Sequence, residues 1–359
     1  MPLKTVFAPH INRTVKMGRT RPVKKGRKYL RLSDYLIKGQ LPTPPDAVDY
    51  RKGASKSLRN IFLNDQLGDC VIAAGYHVTG TATGNAGGEF VATDKQITAD
   101  YSAIGGYVPG DESTDQGCDE ETGFAYWESH GFANGTKLIG HLTVDASNQN
   151  EVKTALWLFE NVFFGTELPD EWISPFPSDD TTTWDVAGKP NPENGHAYQG
   201  VAYGVAGVIV DTWALYVTQT WKALAKYNTR GAGGQLFSLF TPDMLAKGQA
   251  KCPNGIDWAS LIADFQAMGG TVVNPPPTPD PAPPAPTPAP PAPTPAPPAP
   301  SPSPAPAPSP TPEPPAPGLS LGQCEQAIRS YFKHSKRTVY SPGVAADDAV
   351  RALRKNWPA

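Results

Sequence analysis

The chain has 359 residues, a formal net charge of −3 and 41 prolines. Hydrophobic residues make up 39% of it, a low share for one continuous globular fold, and the prolines near the C-terminus account for much of the deficit. No run of about 18 apolar residues occurs, which argues against a membrane-spanning helix. The N-terminus also lacks the apolar segment of a signal peptide. We therefore expect a soluble protein made in the cytoplasm, with virion assembly or non-classical export as alternatives.

Residues 1–40 form a basic N-terminal arm. Residues 1–31 are rich in Lys and Arg and contain no Asp or Glu. Such a segment is attracted to polyanions or to the acidic face of an assembly partner. The alternative is a solvated, disordered tail. The arm ends in an amphipathic stretch from Tyr29 to Ile37.

Residues 41–272 carry mixed helix and strand patterns and are long enough to bury a core. A helical pattern begins at Cys70, and a second runs from about Glu120 to His130 before Gly131. Strand patterns broken by turns follow at 197–203, 208–210 and 213–218. This order of elements predicts an α+β domain.

The C-terminal part divides into a linker and a small module. Prolines fill more than half of the positions from 275 to 317, and proline excludes both helix and sheet. Residues 273–318 are therefore predicted to be a semi-rigid spacer, with a ligand for a proline-reading domain as the alternative. Residues 319–359 predict a small, basic helical module that docks to an unknown partner. The alternative is a helical hairpin that folds only against that partner.

The cysteines are Cys70, Cys118, Cys252 and Cys324. They are too far apart in sequence for a CxxC metal site and too few for a disulfide framework. We expect no metal and no cofactor. Cys70 lies in the first turn of a predicted helix, where the helix dipole and free amide groups favour the thiolate. The polar turn at 64–69 predicts that this thiol is reachable from solvent.

A nucleophilic thiol needs a base within hydrogen-bond reach and a third group that orients the base. Of the six histidines, only His196 opens an apolar strand after a glycine turn, at Asn194-Gly195. That position fixes the imidazole on a rigid edge. We predict that Cys70 and His196 form a catalytic pair. Taken singly, each residue is more often a buried structural side chain.

Five segments resemble, in order, motifs of the papain-like cysteine peptidase family. They are the Val-Asp-Tyr-Arg run within Pro45–Ala54, the loop Asn64-Asp-Gln-Leu-Gly-Asp-Cys70, Thr114–Gly117 with the helix that follows, Gly195-His196-Ala197, and Val217-Thr-Gln-Thr-Trp221. The resemblance covers 41–272 and is to a divergent, bacterial or phage-type member. It implies a two-lobe fold in which a helical lobe carries Cys70 and an antiparallel β lobe carries His196.

The resemblance also implies a role for each site residue. Cys70 attacks a carbonyl carbon, and His196 pairs with the thiolate and then protonates the leaving amine. Gln219 takes the place of the asparagine that orients the imidazole in the family. Trp221 shields that contact from water.

The oxyanion hole is expected to combine the Cys70 backbone amide with a side-chain amide from the preceding loop. The family has glutamine six residues before the cysteine, where this chain has Asn64. Gln66 is the second candidate. Two further departures from the family are Asp69, directly before the nucleophile, and Gln219, which is one methylene longer than asparagine.

The sequence thus predicts a cysteine hydrolase that cleaves peptide or amide bonds of a peptide or protein substrate. The departures favour an alternative, a catalytically weak or inactive papain-fold protein with a binding or structural role, such as a virion or surface component. Acyl or amide transfer on the same scaffold is a third hypothesis. The arm occupies the place of a propeptide, but its short cationic sequence favours targeting or assembly.

Overall fold

A computed structural model describes residues 2–22 and 29–268. The chain divides into two compact units, Met1–Ala285 and Pro286–Ala359, and the described residues belong to the first. The predicted linker 273–318, the module 319–359 and Cys324 lie outside the described residues. The domain boundaries at these positions and at residue 40 stay predictions.

The helical part of the fold begins with the helix at the predicted nucleophile. In the described residues the α-helices are α1 (Leu32–Tyr35), α2 (Ser55–Leu58), α3 (Cys70–Asn85), α4 (Asp94–Gly105), α5 (Glu120–Ser129), α6 (Gln149–Phe159), α7 (Trp221–Tyr227), α8 (Pro242–Lys251) and α9 (Trp258–Ala267). The predicted helices at Cys70 and at Glu120 are confirmed as α3 and α5. Residues 70–82 are buried around the whole circumference of α3, which makes it a core helix rather than an amphipathic surface helix.

The strands form one large sheet and one separate hairpin. In chain order they are β1 (Thr5–Ala8), β2 (Arg13–Lys16), β3 (Val48–Asp49), β4 (Gly140–Thr143), β5 (Val162–Glu167), β6 (Thr183–Trp184), β7 (Gly195–Tyr203), β8 (Gly207–Thr212), β9 (Leu215–Thr220) and β10 (Gln235–Phe240). The large sheet has the order β4-β10-β5-β7-β8-β9-β6, with β3 added on β7. Its pairs are antiparallel except β6 with β9, which is parallel.

Two large hydrophobic cores and one small cluster are present in the described residues. One large core packs α3, α4 and α5 together through side chains such as Ile72, Tyr101 and Trp127. The other large core packs the sheet against α6, α7 and α9 through side chains such as Leu156 and Leu224. The α+β class is confirmed. The packing brings the N-terminal end of α3 to the beginning of β7.

The basic arm is folded onto this body, so the disordered-tail alternative is wrong for residues 2–22. Strands β1 and β2 pair as a hairpin, and Val15 and Met17 are buried in the larger core. Five basic side chains of the described arm form ion pairs with acids of the same chain, namely Lys4–Asp170, Arg13–Asp65, Lys16–Asp115, Arg19–Glu120 and Arg21–Glu167. An affinity of the arm for polyanions stays a prediction.

Within residues 2–22 and 29–268, no helix has both the length and the apolar composition that crossing a bilayer requires. The longest helix described here is α3, with 16 residues.

Candidate active site

Cys70 and His196 line the same small cavity, at the junction of α3 and β7. The cavity has a volume of about 10 Å³, roughly the space of one water molecule. The antiparallel pairing of β5 with β7 and the packing of α3 on β7 create this junction. Residues 126 positions apart in sequence are therefore neighbours of one void.

The Cys70 thiol is buried, with a relative exposure of 1%. The expectation of a solvent-reachable thiolate is therefore wrong for this structure. Burial raises the pKa of Cys70 to about 12, and backbone hydrogen bonding from Ala197 and Gly18 only partly opposes it. Asp69 is fully buried as well, and burial raises its pKa well above the usual range. The helix dipole is thus outweighed by the loss of solvent.

The imidazole of His196 is held on one side and free on the other. Its Nε2 lies 2.8 Å from Thr212 Oγ1, and its ring stacks on Trp213 at a centroid distance of 4.0 Å. Its Nδ1 has no hydrogen-bond partner in the described structure. Burial, with the nearby His77, lowers the pKa of His196 to about 3. A neutral ring that donates from Nε2 to Thr212 leaves Nδ1 as a proton acceptor.

In the described structure neither Gln219 nor Trp221 hydrogen-bonds to His196 or stacks on it, so the roles assigned to them from the sequence need correction. Gln219 accepts from Tyr198 Oη at 3.1 Å and donates to Asn228 Oδ1 at 2.6 Å. Trp221 donates through Nε1 to the Gly204 carbonyl, 3.1 Å away. Gln219 lies on β9, and Trp221 follows it at the start of α7. Thr212, which does contact the imidazole, lies on β8, the strand between β7 and β9.

The positions of Thr212 and Trp213 follow from hairpin geometry. Strands β7 and β8 are antiparallel, with Gln199 opposite Asp211, so the end of β8 returns to the beginning of β7. Trp213 lies in the following turn at φ 49°, rather than opening a strand as predicted. Thr212 and Trp213 could have been identified by pairing the predicted strands of this hairpin and finding the residues opposite the beginning of β7. The resemblance to the family motif pointed instead to Trp221.

The two candidates for the oxyanion hole, Asn64 and Gln66, lie in different environments. Asn64 is buried, lines the cavity beside Cys70, and donates from Nδ2 to the Leu67 carbonyl at 3.2 Å. Gln66 is exposed and lies on a different surface depression, near Arg13. Of the two, only Asn64 lines the cavity that Cys70 also lines.

A second pair of a histidine and a carboxylate lines the cavity and was not predicted from the sequence. His77 lies two turns after Cys70 on α3, and its Nδ1 is 3.1 Å from Asp211 Oδ2. Both side chains are buried. Burial lowers the pKa of His77 to about 3 and raises that of Asp211 well above its usual range. The spacing of seven residues between Cys70 and His77 was the available signal, because it places both on one helix face.

The arm crosses directly over this site. The Arg19 backbone N–H donates to the Gly195 carbonyl at 3.1 Å, next to His196. On the other side, the Cys118 N–H donates to the Gly18 carbonyl at 3.0 Å, and the Thr20 N–H donates to the Cys118 carbonyl at 3.1 Å. Residues 18–20 therefore bridge the two walls of the site and cover the sulfur.

Cys118 and Cys252 are also free and buried. Among residues 2–22 and 29–268, no group of three or more His, Cys, Asp or Glu side chains is arranged to hold a metal ion.

The chain is similar to several solved structures of cysteine proteases. It aligns with xylellain, a cysteine protease from Xylella fastidiosa, at 13% identity over 63% of this chain and 96% of that chain, with a TM-score of 0.45. It aligns with procathepsin B S9 from Trypanosoma congolense at 11% identity over 63% and 87% of the two chains, with a TM-score of 0.45. For procathepsin L 3 of Tenebrio molitor larval midgut the values are 14% identity, 62% and 75% coverage, and a TM-score of 0.43. No protein-family model and no curated protein matches the sequence.

Replacing Thr212 by valine is expected to destabilise the fold by about 1–3 kcal/mol, because His196 Nε2 loses the Thr212 hydroxyl while it stays buried. The measurement is urea-induced unfolding, together with the ¹⁵N shifts of the His196 ring, which should report a change in tautomer. Thr218→Val, on β9, is the matched control and should leave the ring shifts unchanged. Equal ring shifts in wild type and Thr212→Val would contradict this prediction.

Proposed function

We propose that this protein is a papain-like cysteine hydrolase that cleaves peptide or amide bonds, with Cys70 as nucleophile and His196 as base. The observation that carries the proposal is the unpartnered Nδ1 of His196, which lines one cavity with the Cys70 sulfur while Thr212 holds the opposite nitrogen. A thiol, a base and a group that orients the base are the parts that nucleophilic catalysis requires.

The reaction uses these residues as follows. His196 Nδ1 takes the thiol proton, and the Cys70 sulfur attacks the substrate carbonyl carbon. The negative oxygen that forms is stabilised by the Cys70 backbone N–H and the Asn64 side-chain amide. His196 returns the proton to the leaving amine, and the bond to nitrogen breaks. Water then attacks the thioester, with His196 as base, and releases the acid product.

Turnover requires that the arm leaves the site. Residues 18–20 occupy the space over Cys70 in which a substrate has to bind. Displacement of the arm would also admit solvent, which removes the main cause of the raised Cys70 pKa. The covered and uncovered forms of the full chain should therefore differ in thiol reactivity as well as in access.

The test is peptide cleavage by the full chain in which Gly18→Val displaces the arm. Products from a random peptide library are identified by mass spectrometry. We expect cleavage that is abolished by Cys70→Ala and by His196→Ala and is retained in the matched variant Cys118→Ala. Cleavage that persists in Cys70→Ala would refute the assignment of the nucleophile.

The burial of both catalytic candidates favours one alternative, a papain-fold protein with a binding or structural role and no turnover. In that case the pair is a packing feature, and the arm is a permanent part of the fold. Proteolytic sensitivity of the arm in Gly18→Val shows whether the arm is displaced, and peptide cleavage by that variant then decides between the two functions. An arm that is displaced without any peptide cleavage would support the binding or structural role.

A further inference from the structure

The side chain of Arg19 fills a buried pocket beside the site. Its Nε and Nη2 donate to the Glu120 carboxylate at 3.0 and 2.7 Å, and its Nη1 donates to the Gly233 carbonyl at 2.7 Å. The exposed fractions of the two side chains are 1% for Arg19 and 0% for Glu120. Each of the three guanidinium nitrogens therefore has an acceptor in the pocket.

The pocket is built for a planar, forked cation. Glu120 receives two parallel donors from one edge of the guanidinium, and Gly233 receives a third from the other edge. A lysine ammonium is a point charge and cannot satisfy both acceptors in this way. Gly165 forms one wall, and a Cβ there would overlap Glu120 Oε1 and lie 2.8 Å from Arg19 Nε. The absence of a side chain at 165 is what leaves room for the guanidinium.

Glu120 is a buried acid that is paired with the Arg19 guanidinium. It is the first residue of α5 and is held at the base of the pocket. An ionised carboxylate that stays buried is strongly destabilising unless a cation pairs with it. Burial lowers the pKa of Arg19, but attraction to Glu120 and then to Glu167 outweighs it and leaves that pKa above its ordinary value. The pocket therefore has a net preference for positive charge.

The backbone of the arm shows how a peptide in the site would reach this pocket. Arg19 lies where the chain bridges Gly195 and Cys118, the two walls on either side of Cys70. An extended peptide that bonds to the same two walls presents a side chain at the same point. The pocket recognises that side chain, so it does not require a peptide to run in the direction of the arm.

We propose that this pocket selects an arginine side chain of the substrate, and that Arg19 occupies the place of that arginine while the arm covers the site. The proposal rests on the hydrolase function proposed above. It names the substrate class as peptides with an arginine near the bond that Cys70 attacks, and it names Glu120 as the residue that determines this specificity.

The preference of the pocket for a guanidinium group can be tested without measuring turnover. The test asks whether a small guanidinium compound restores the stability of a full-length variant that lacks the Arg19 side chain. Arg19→Ala should lower the Tm, and added ethylguanidinium should restore part of the loss in a saturable way. Ethylurea, a neutral molecule of similar shape, should bind at least tenfold more weakly. Wild type, with its pocket filled, is the control and should not respond. Equal effects of the two molecules on Arg19→Ala would overturn the proposal.

Substrate selection is tested with the full chain carrying Gly18→Val and with paired peptides that differ only in arginine or its neutral analogue citrulline. We expect kcat/KM for the arginine peptide to be at least 100-fold higher. Glu120→Gln should reduce this ratio at least tenfold, and Glu128→Gln, outside the pocket, should not. Gly165→Ala is the second variant. Its added methyl group should fill the pocket and reduce the ratio of kcat/KM in the same way.

The outcomes separate the two proposals. Cleavage with no preference for arginine overturns the arginine pocket and leaves the hydrolase standing. If no peptide is cleaved, the proposed hydrolase function is refuted. The arginine-pocket proposal is then tested by fluorescence anisotropy, which measures binding of the same peptides, carrying a fluorescent label, to the Cys70→Ala, Gly18→Val chain. Tenfold tighter binding of the arginine peptide than of the citrulline peptide would uphold it, and equal binding would overturn it.

Discussion

Substitution of Gly18 by valine is expected to raise the rate of Cys70 alkylation by about tenfold or more. A Cβ at residue 18 would overlap the carbonyl oxygen of Gly68, in the loop that leads to Cys70. Overpacking of this kind costs about 1–3 kcal/mol, and each 1.4 kcal/mol changes a population tenfold. Because the clash arises only when the arm is docked, it raises the population of the form in which the sulfur is uncovered.

The measurement is the rate of iodoacetamide labelling at Cys70, followed by mass spectrometry from pH 6 to 10. In the covered protein, a pKa of about 12 leaves little thiolate at neutral pH, so labelling should be slow and should rise with pH across this range. In Gly18→Val the rise should begin at lower pH, since solvent and the helix dipole both favour the thiolate.

Gly88→Ala is the matched control for this experiment. No atom lies within 4 Å of the position that its Cβ would take, so labelling of Cys70 should match the wild type. Cys118 gives an internal comparison, since it is buried and free in the same molecule. If Gly18→Val labels Cys70 no faster than the wild type does, residues 18–20 are not what protects the sulfur.

Removal of the Arg19 guanidinium is expected to destabilise the full chain by about 3–5 kcal/mol, the range observed when one partner of a buried ion pair is deleted. Arg19→Met keeps an aliphatic stem of similar length but leaves Glu120 without its cation. The double variant Arg19→Met, Glu120→Leu should recover most of the loss, because no buried charge is then unpaired. Chemical denaturation of the three variants measures both effects.

The pair Arg51 and Asp49 is the control for an exposed ion pair. Its side chains are 32% and 49% exposed and bonded at 2.6 Å, so Arg51→Met should cost less than about 1 kcal/mol. A double variant as unstable as Arg19→Met would show that the loss comes from packing of the arm rather than from the charge on Glu120.

Much of the secondary structure near the site could be predicted from local patterns. The helix at Cys70 follows a turn-forming loop, and β7 follows a glycine turn, so each is encoded by residues close to it in sequence. The β8 and β9 strands were predicted in outline, but the boundary at Trp213 was wrong. Its left-handed backbone is imposed by the hairpin turn, which no propensity for strand reveals.

The residues that contact His196 could not be predicted from local sequence patterns. A motif that resembles a family sequence predicted Gln219 and Trp221, whereas pairing of β7 with β8 brings Thr212 and Trp213 to the imidazole. Which of two successive strands delivers the orienting group depends on strand order and register. These are set by packing over the whole sheet, not by the residues of the motif.

The amino-acid sequence by itself determined the α+β class, the helix that begins at Cys70, the strand that begins at His196 and the positive charge of the arm, because each of these depends on neighbouring residues. Only the tertiary structure decided where that charge goes. The arm forms ion pairs with Asp65, Asp115, Glu120 and Glu167 and covers Cys70. The acids lie 50 to 150 positions from their partners, and attraction over such separations is realised only when the fold brings the two charges into contact and excludes water.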